Sequence, residues 1–177
     1  MRQIVLLRGI NLGSRNRIAM PRLRQVLSEA GFADVATYLQ SGNVLLTSDA
    51  APRQLEAGVE RAIADGLGLE IDVVVRSRDE LAAVVARNPL AEIAANPKRY
   101  LVTFLREELS PETVAELATL ALGPERLVAI GRELYAWHPE GVARSRLWAR
   151  LAGRALGVTA TARNWTTVTN LLALADA

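Results

Sequence analysis

Cysteine is absent from the 177 residues, which excludes disulfides, thiolate metal sites and a cysteine nucleophile, and fits an intracellular setting. Histidine occurs once, at His138. A Ser-His-Asp relay or a histidine-based zinc site would have to be built on that residue, and no partner motif accompanies it. Placed just before Pro139 at a strand end, His138 is expected to be a surface or turn side chain. Long apolar runs are missing too. The first, Ile4 to Leu7, is short for a signal-peptide core, and none approaches the roughly 20 apolar residues of a membrane span. These absences point to a cytoplasmic protein with no membrane partner. No carboxylate pair stands out for acid-base work, no spacing suggests a metal site, and no motif names a cofactor.

What is present is a chain that is half hydrophobic, enough to bury a core in one domain or two small ones. Lys98 is the only lysine, so 20 of the 21 basic residues are arginine. Codon bias accounts for arginine in general; it does not account for where the carboxylates are missing. Met1 to Ser28 holds six arginines and no acid, and Gly141 to Ala175 holds five and no acid. The segment between carries 10 basic and 18 acidic side chains. Charge is therefore segregated along the chain, which implies a basic surface if the two ends fold to one side.

Strand and helix signals alternate. "QIVLLRG" reads as a buried strand. After a loop, Pro21 takes the first helical turn, with Leu23, Val26, Leu27 and Ala30 as an apolar stripe and Gly31 as the stop. "VATYLQ" and "NVLLTS" read as two strands joined around Ser41 and Gly42. A helix from Pro52 turns Leu55, Val59, Ala62, Ile63 and Leu67 inward, and "IDVVVRS" is the next strand. This β-α-β-β-α-β order is that of a ferredoxin-like, split β-α-β unit. Ser77 and Glu80 form a capping box for an extra helix that Asn88-Pro89 ends.

The pattern then begins again with "RYLVTFL", a helix from Pro111, "RLVAI" and "ELYAW". A helix over 142–156 follows, then a short "VTATA" strand and a last helix from Trp165. On the 142–156 helix, Arg146, Arg150 and Arg154 would share one face, and Val142, Leu147, Trp148, Leu151 and Ala155 the core side. The expected fold is α+β: two ferredoxin-like subdomains, antiparallel sheets with helices on one face, at residues 1–87 and 99–177, with 88–98 as connector.

Three stretches carry candidate chemistry. In "RGINLGSRNR", Gly9, Asn11, Gly13 and Ser14 let the backbone turn N–H groups toward an anion, with Arg8, Arg15 and Arg17 around it. The string matches neither a P-loop nor G-x-G-x-x-G, and an irregular turn would select the same glycines and asparagines. In "YLQSGNV", Gln40, Ser41 and Asn43 either reach a ligand or make a turn. In "ARNWTTV", Arg163 and Asn164 offer hydrogen bonds beside Trp165, or else Asn164 caps a helix and Trp165 packs.

Together "LLRGINLG", "YLQSGNVLLTS" and "ARNWTTV" resemble the bacterial domain of unknown function 1697 (DUF1697) family over almost the whole chain. The resemblance implies a cytoplasmic protein of two ferredoxin-like subdomains. It places Arg8, Gly9, Asn11, Gly13, Gln40, Ser41, Gly42, Asn43, Arg163, Asn164 and Trp165 in family motifs, and Arg15 and Arg17 where the family usually has lysine. It assigns no catalytic residue. The function expected from the residues is binding of a phosphorylated partner, a small molecule or a nucleic-acid backbone, at an arginine-lined site made by the two chain ends. The alternatives are a phosphoryl- or nucleotide-transfer enzyme using the same pocket, and a metabolite-binding regulatory or dimerisation module.

Overall fold

A computed structural model describes all 177 residues. The chain divides into two compact units, residues 1–82 together with 171–177, and residues 83–170. No helix is long and apolar enough to cross a membrane.

In the first unit the elements run β1 (Arg2–Leu7), α1 (Met20–Glu29), β2 (Ala33–Tyr38), β3 (Asn43–Thr47), α2 (Pro52–Leu67) and β4 (Val73–Ser77). The strands form one antiparallel sheet in the order β2-β3-β1-β4, the ferredoxin-like arrangement. Val5, Leu7, Val44, Leu46, Val73 and Val75 share a core with Leu23 and Leu27 of α1 and Leu55, Val59 and Ile63 of α2. Alternation puts Ile4, Leu6, Leu45 and Val74 on the opposite face, and these are buried as well. Burial on both faces is why β1 reads as a continuous apolar run rather than an alternating one.

Local chemistry sets the ends of these elements. Pro21 lies in the first turn of α1, and α2 opens at Pro52 and stops at Gly68, which takes the left-handed conformation with φ 66°. From α2, Glu60 accepts the N–H of Val73 at 3.1 Å and Glu56 that of Val75 at 3.3 Å. Two carboxylates one helical turn apart thus cover the outer edge of β4, where an unpaired strand would otherwise expose its donors. The capping box forms as the spacing predicts: Ser77 N–H donates to Glu80 Oε2 at 2.8 Å, and Glu80 N–H to Ser77 Oγ at 3.1 Å. It starts α3 (Arg78–Arg87).

The second unit repeats the order with β5 (Tyr100–Leu105), α4 (Pro111–Thr119), β6 (Arg126–Ile130), β7 (Glu133–Trp137), α5 (Arg146–Ala152) and β8 (Ala160–Asn164), and α6 (Trp165–Asp176) begins in it but belongs to the first unit from Leu171 onward. Its sheet runs β6-β7-β5-β8, all antiparallel. Leu105, Leu134, Ala136 and Ala160 pack on Leu117 of α4 and on Leu147 and Leu151 of α5. Tyr100, Val102, Phe104, Tyr135 and Arg163 are buried too, and their alternation places them on the other face. Residues 88–98 carry no helix or strand and lie within this unit.

The helix expected over 142–156 is far shorter, seven residues from Arg146 to Ala152. Ser145 Oγ accepts the N–H of Trp148 and fixes the start, and Gly153 leaves the helix in extended conformation, φ −76° and ψ 176°. Arg154 is therefore outside it, and the three-arginine stripe does not form. Arg150 instead lies 3.7 Å from Glu116 and donates to the carbonyl of Ala155.

Candidate functional site

The connection between β1 and α1, residues 8–19, is a shaped loop. Gly9, Asn11, Gly13 and Asn16 all take positive φ, between 49° and 66°, a region that glycine and asparagine tolerate best. Asn11 organises the loop. Its Oδ1 accepts the N–H of Ile18 at 2.8 Å, while its Nδ2 donates to the carbonyls of Ile18 at 3.0 Å and Gln40 at 2.7 Å. Its backbone N–H donates to Asn16 O at 3.1 Å, and Asn16 Nδ2 donates to Gly9 O at 3.2 Å. Buried Ile10 and Ile18 anchor the two arms in the core.

The tip beyond these anchors, residues 12–15, is exposed. The amides of Gly13 and Ser14 have no hydrogen bond within the chain, nor has the Arg15 guanidinium. Arg17 donates to Gly13 O at 3.3 Å and is exposed. Arg17 also lines a groove of about 530 Å3 with Asn11, Ile18, Ala19 and Gln40. Arg8 is half-buried, and its backbone N–H is held by Asp72 O at 2.9 Å.

The β2–β3 turn lies against this loop and explains much of the second motif. Asn43 is fully buried, and its Nδ2 donates to Tyr38 O at 2.7 Å and Ser41 Oγ at 3.0 Å. At Gly42, φ is 86°, and a Cβ would sit 2.7 Å from Leu7 Cβ and 2.8 Å from Ile10 Cδ1. Ser41, Gly42 and Asn43 thus build the turn, and the carbonyl of Gln40 holds Asn11. Loop and turn are one assembly.

The third motif lies in the other unit, and its side chains already have partners. Arg163 is 7% exposed, and its NH1 donates to Thr161 Oγ1 and Ala162 O, each at 2.8 Å. Burial pushes its pKa down to about 10, which leaves the guanidinium charged at neutral pH. Asn164 Oδ1 accepts the N–H of Thr167 at 2.9 Å at the start of α6. Trp165 stacks on Tyr100 with ring centroids 4.9 Å apart.

His138 corrects the sequence reading: it is fully buried, not a surface or turn side chain. Its Nδ1 lies 2.5 Å from Glu125 Oε2, and Ser145 Oγ donates to the same oxygen at 2.6 Å. This is not a nucleophile relay. Ser145 Oγ donates its hydrogen bond to the carboxylate and lies a longer 3.4 Å from His138 Nδ1, and His138 Nε2 has no partner. The three residues come from the α4–β6 turn, the end of β7 and the start of α5, so no local spacing announces them.

Comparison with known proteins adds the family but no activity. A solved structure of a conserved bacterial protein from Streptococcus pneumoniae is 25% identical and matches with a TM-score of 0.78 over 98% of each chain. No curated protein matches the sequence. Residues 1–135 match the model described as "Protein of unknown function (DUF1697)", a span that takes in the whole first sheet, the shaped loop and the buried β2–β3 turn, and the chain belongs to the DUF1697 family.

Proposed function

We propose that the β1–α1 loop of the first unit binds a phosphate-bearing ligand, a nucleotide or a nucleic-acid backbone. The observation that carries this is the exposed tip: the Arg15 guanidinium without a partner, Arg17 beside it, and the unpaired amides of Gly13 and Ser14, all on a backbone fixed by Asn11. Guanidinium forks and backbone N–H groups are the donors that phosphate oxygens take, and a preformed loop loses little entropy on binding. No acid lies between Met1 and Ser28 to compete. Arg163, Asn164 and Trp165 are left out of this site because they belong to the other unit, where Arg163 is buried on Thr161 and Ala162, Asn164 Oδ1 caps α6 and Trp165 stacks on Tyr100.

The test is binding of a fluorescent single-stranded oligonucleotide, and of ATP, across a salt series. Each arginine that neutralises a phosphate contributes about 0.7 to the slope of log affinity against log salt for a single strand. The Arg15→Ala, Arg17→Ala double variant is expected to lower that slope by about 1 or more. Arg53→Ala with Arg61→Ala, exposed positions on α2, is expected to leave it unchanged. Equal loss from both pairs, or no binding of either probe at low salt, would overturn the proposal.

A further inference from the structure

The second unit contains a pocket of about 410 Å3 that no motif announces, within the roughly 300–1,000 Å3 range of small-molecule sites. It lies between the α4–β6 turn and the β7–α5 loop. Its charged lining is Glu125, Glu140, Arg144 and Arg146, and its apolar lining includes Leu122, Pro124 and Ala143.

Opposite charges line this one pocket, yet Glu140, Arg144 and Arg146 form no ion pair and no side-chain hydrogen bond within the chain. Glu125 is different. Its side chain is only 13% exposed, and Oε2 is held by both His138 Nδ1 and Ser145 Oγ. Its other oxygen, Oε1, takes no hydrogen bond from the chain. The carboxylate is thus fixed through one oxygen, while the other is not among the buried atoms of the chain and is open to a donor entering the pocket. Leu122, 53% exposed, adds an apolar wall that nothing in the chain covers.

A simple anion would meet Glu125 and Glu140, and a simple cation would meet Arg144 and Arg146; either leaves like charges facing it. A ligand with both charges satisfies both sets. We propose that this pocket binds a small zwitterion of the free α-amino acid class with an aliphatic side chain. Glu125 Oε1 accepts from the ammonium, Arg144 and Arg146 hold the carboxylate, and Leu122, Pro124 and Ala143 contact the side chain. The hydrogen bonds from His138 and Ser145 keep the Glu125 carboxylate in place, which makes these two positioning residues.

The experiment uses the full chain and three probes: L-leucine, L-leucinamide, which keeps only the ammonium, and N-acetyl-L-leucine, which keeps only the carboxylate. Calorimetry gives affinity, and amide chemical shifts over residues 122–146 give location. Leucine is expected to saturate, with each single-charge analogue at least about tenfold weaker, since each lost charge removes charge-assisted hydrogen bonds. The Arg144→Ala, Arg146→Ala variant alters two exposed side chains. It is expected to weaken leucine and N-acetyl-leucine and to leave leucinamide unchanged. Glu125→Gln should do the reverse, and if that variant fails to fold, the probe series and the arginine variant decide alone. No saturation by leucine up to about 10 mM, a range that covers even weak millimolar binding, overturns the proposal. Equal affinity for all three probes, or shifts outside 122–146, does so too.

Discussion

In the first unit the connection from the first strand to the first helix occupies residues 8–19, whereas the equivalent connection of the second unit, between β5 and α4, needs only residues 106–110. The hairpins differ in the same direction, four residues between β2 and β3 against two between β6 and β7. Further along the order reverses: β3 reaches α2 through residues 48–51, while β7 reaches α5 through 138–145. One topology thus appears twice with its irregular backbone at different connections. The first unit spends it on a basic loop braced by a turn, the second on a pocket of mixed charge. Sites grafted onto loops of a repeated scaffold are expected to diverge in this way, because the sheets and their cores constrain the loops very little.

The largest effect separating the units is expected at their hairpin glycines. Gly42 and Gly131 both have positive φ, 86° and 58°, but a Cβ at Gly42 would meet Leu7 Cβ at 2.7 Å, while at Gly131 the nearest atom is Glu108 Oε1 at 3.6 Å. Gly42→Ala carries backbone strain and a clash with a core strand, and is expected to cost about 3 kcal/mol. Gly131→Ala carries the strain alone, about 1 kcal/mol. Urea denaturation of both variants checks the ranking, and equal costs would mean that the turn in the first unit yields more easily than its packing implies.

Alkaline pH is expected to act on the second unit next. Tyr135 is fully buried, and its hydroxyl donates to Val84 O at 3.1 Å. Burial first, and then the nearby Glu133 carboxylate, push its pKa up to about 12, and burial raises that of Tyr100 as well. A raised pKa means that the folded state holds the proton longer than the unfolded chain does. The stabilisation is complete below about pH 10 and is lost as pH rises toward 12, amounting to about 3 kcal/mol for Tyr135. The first unit has only Tyr38, half-buried. Denaturation midpoints that fall between these pH values, and fall less in Tyr135→Phe, would confirm the sign.

Most of the fold was legible because apolar periodicity and punctuation agreed: Pro21, Pro52 and Pro111 open helices, and the Ser77–Glu80 box starts another. The exception at 142–156 arose because a helical periodicity is no stronger than its caps, and Ser145 and Gly153 lie inside the pattern. The loop motif was visible, but the residue types alone did not distinguish bracing from binding. Asn11 and Asn43 brace, whereas the Arg15 guanidinium makes no hydrogen bond to the chain. Burial of Arg163 was not legible, since a five-residue strand offers too little alternation to mark its inner face. Nor was the Glu125–His138–Ser145 cluster, whose members stand 13 and 7 residues apart on separate connections.

The smallest stability change is expected where the largest binding change is proposed. The Arg15 side chain has no partner, and Arg17 makes a single exposed contact of 3.3 Å with Gly13 O; exposed side chains with so little to lose change stability by no more than about 0.5 kcal/mol. The loop conformation rests instead on Asn11, Asn16 and the buried Ile10 and Ile18, none of which the Arg15→Ala, Arg17→Ala variant alters. Its urea midpoint should therefore match that of the parent, with loop amide shifts confined to residues 12–17. A midpoint lowered by more than 1 kcal/mol equivalent, on the order that a lost cap would produce, would show these arginines to be structural. The basic loop would then be a brace like the turn beside it, and the contrast between the two units would concern packing rather than ligands.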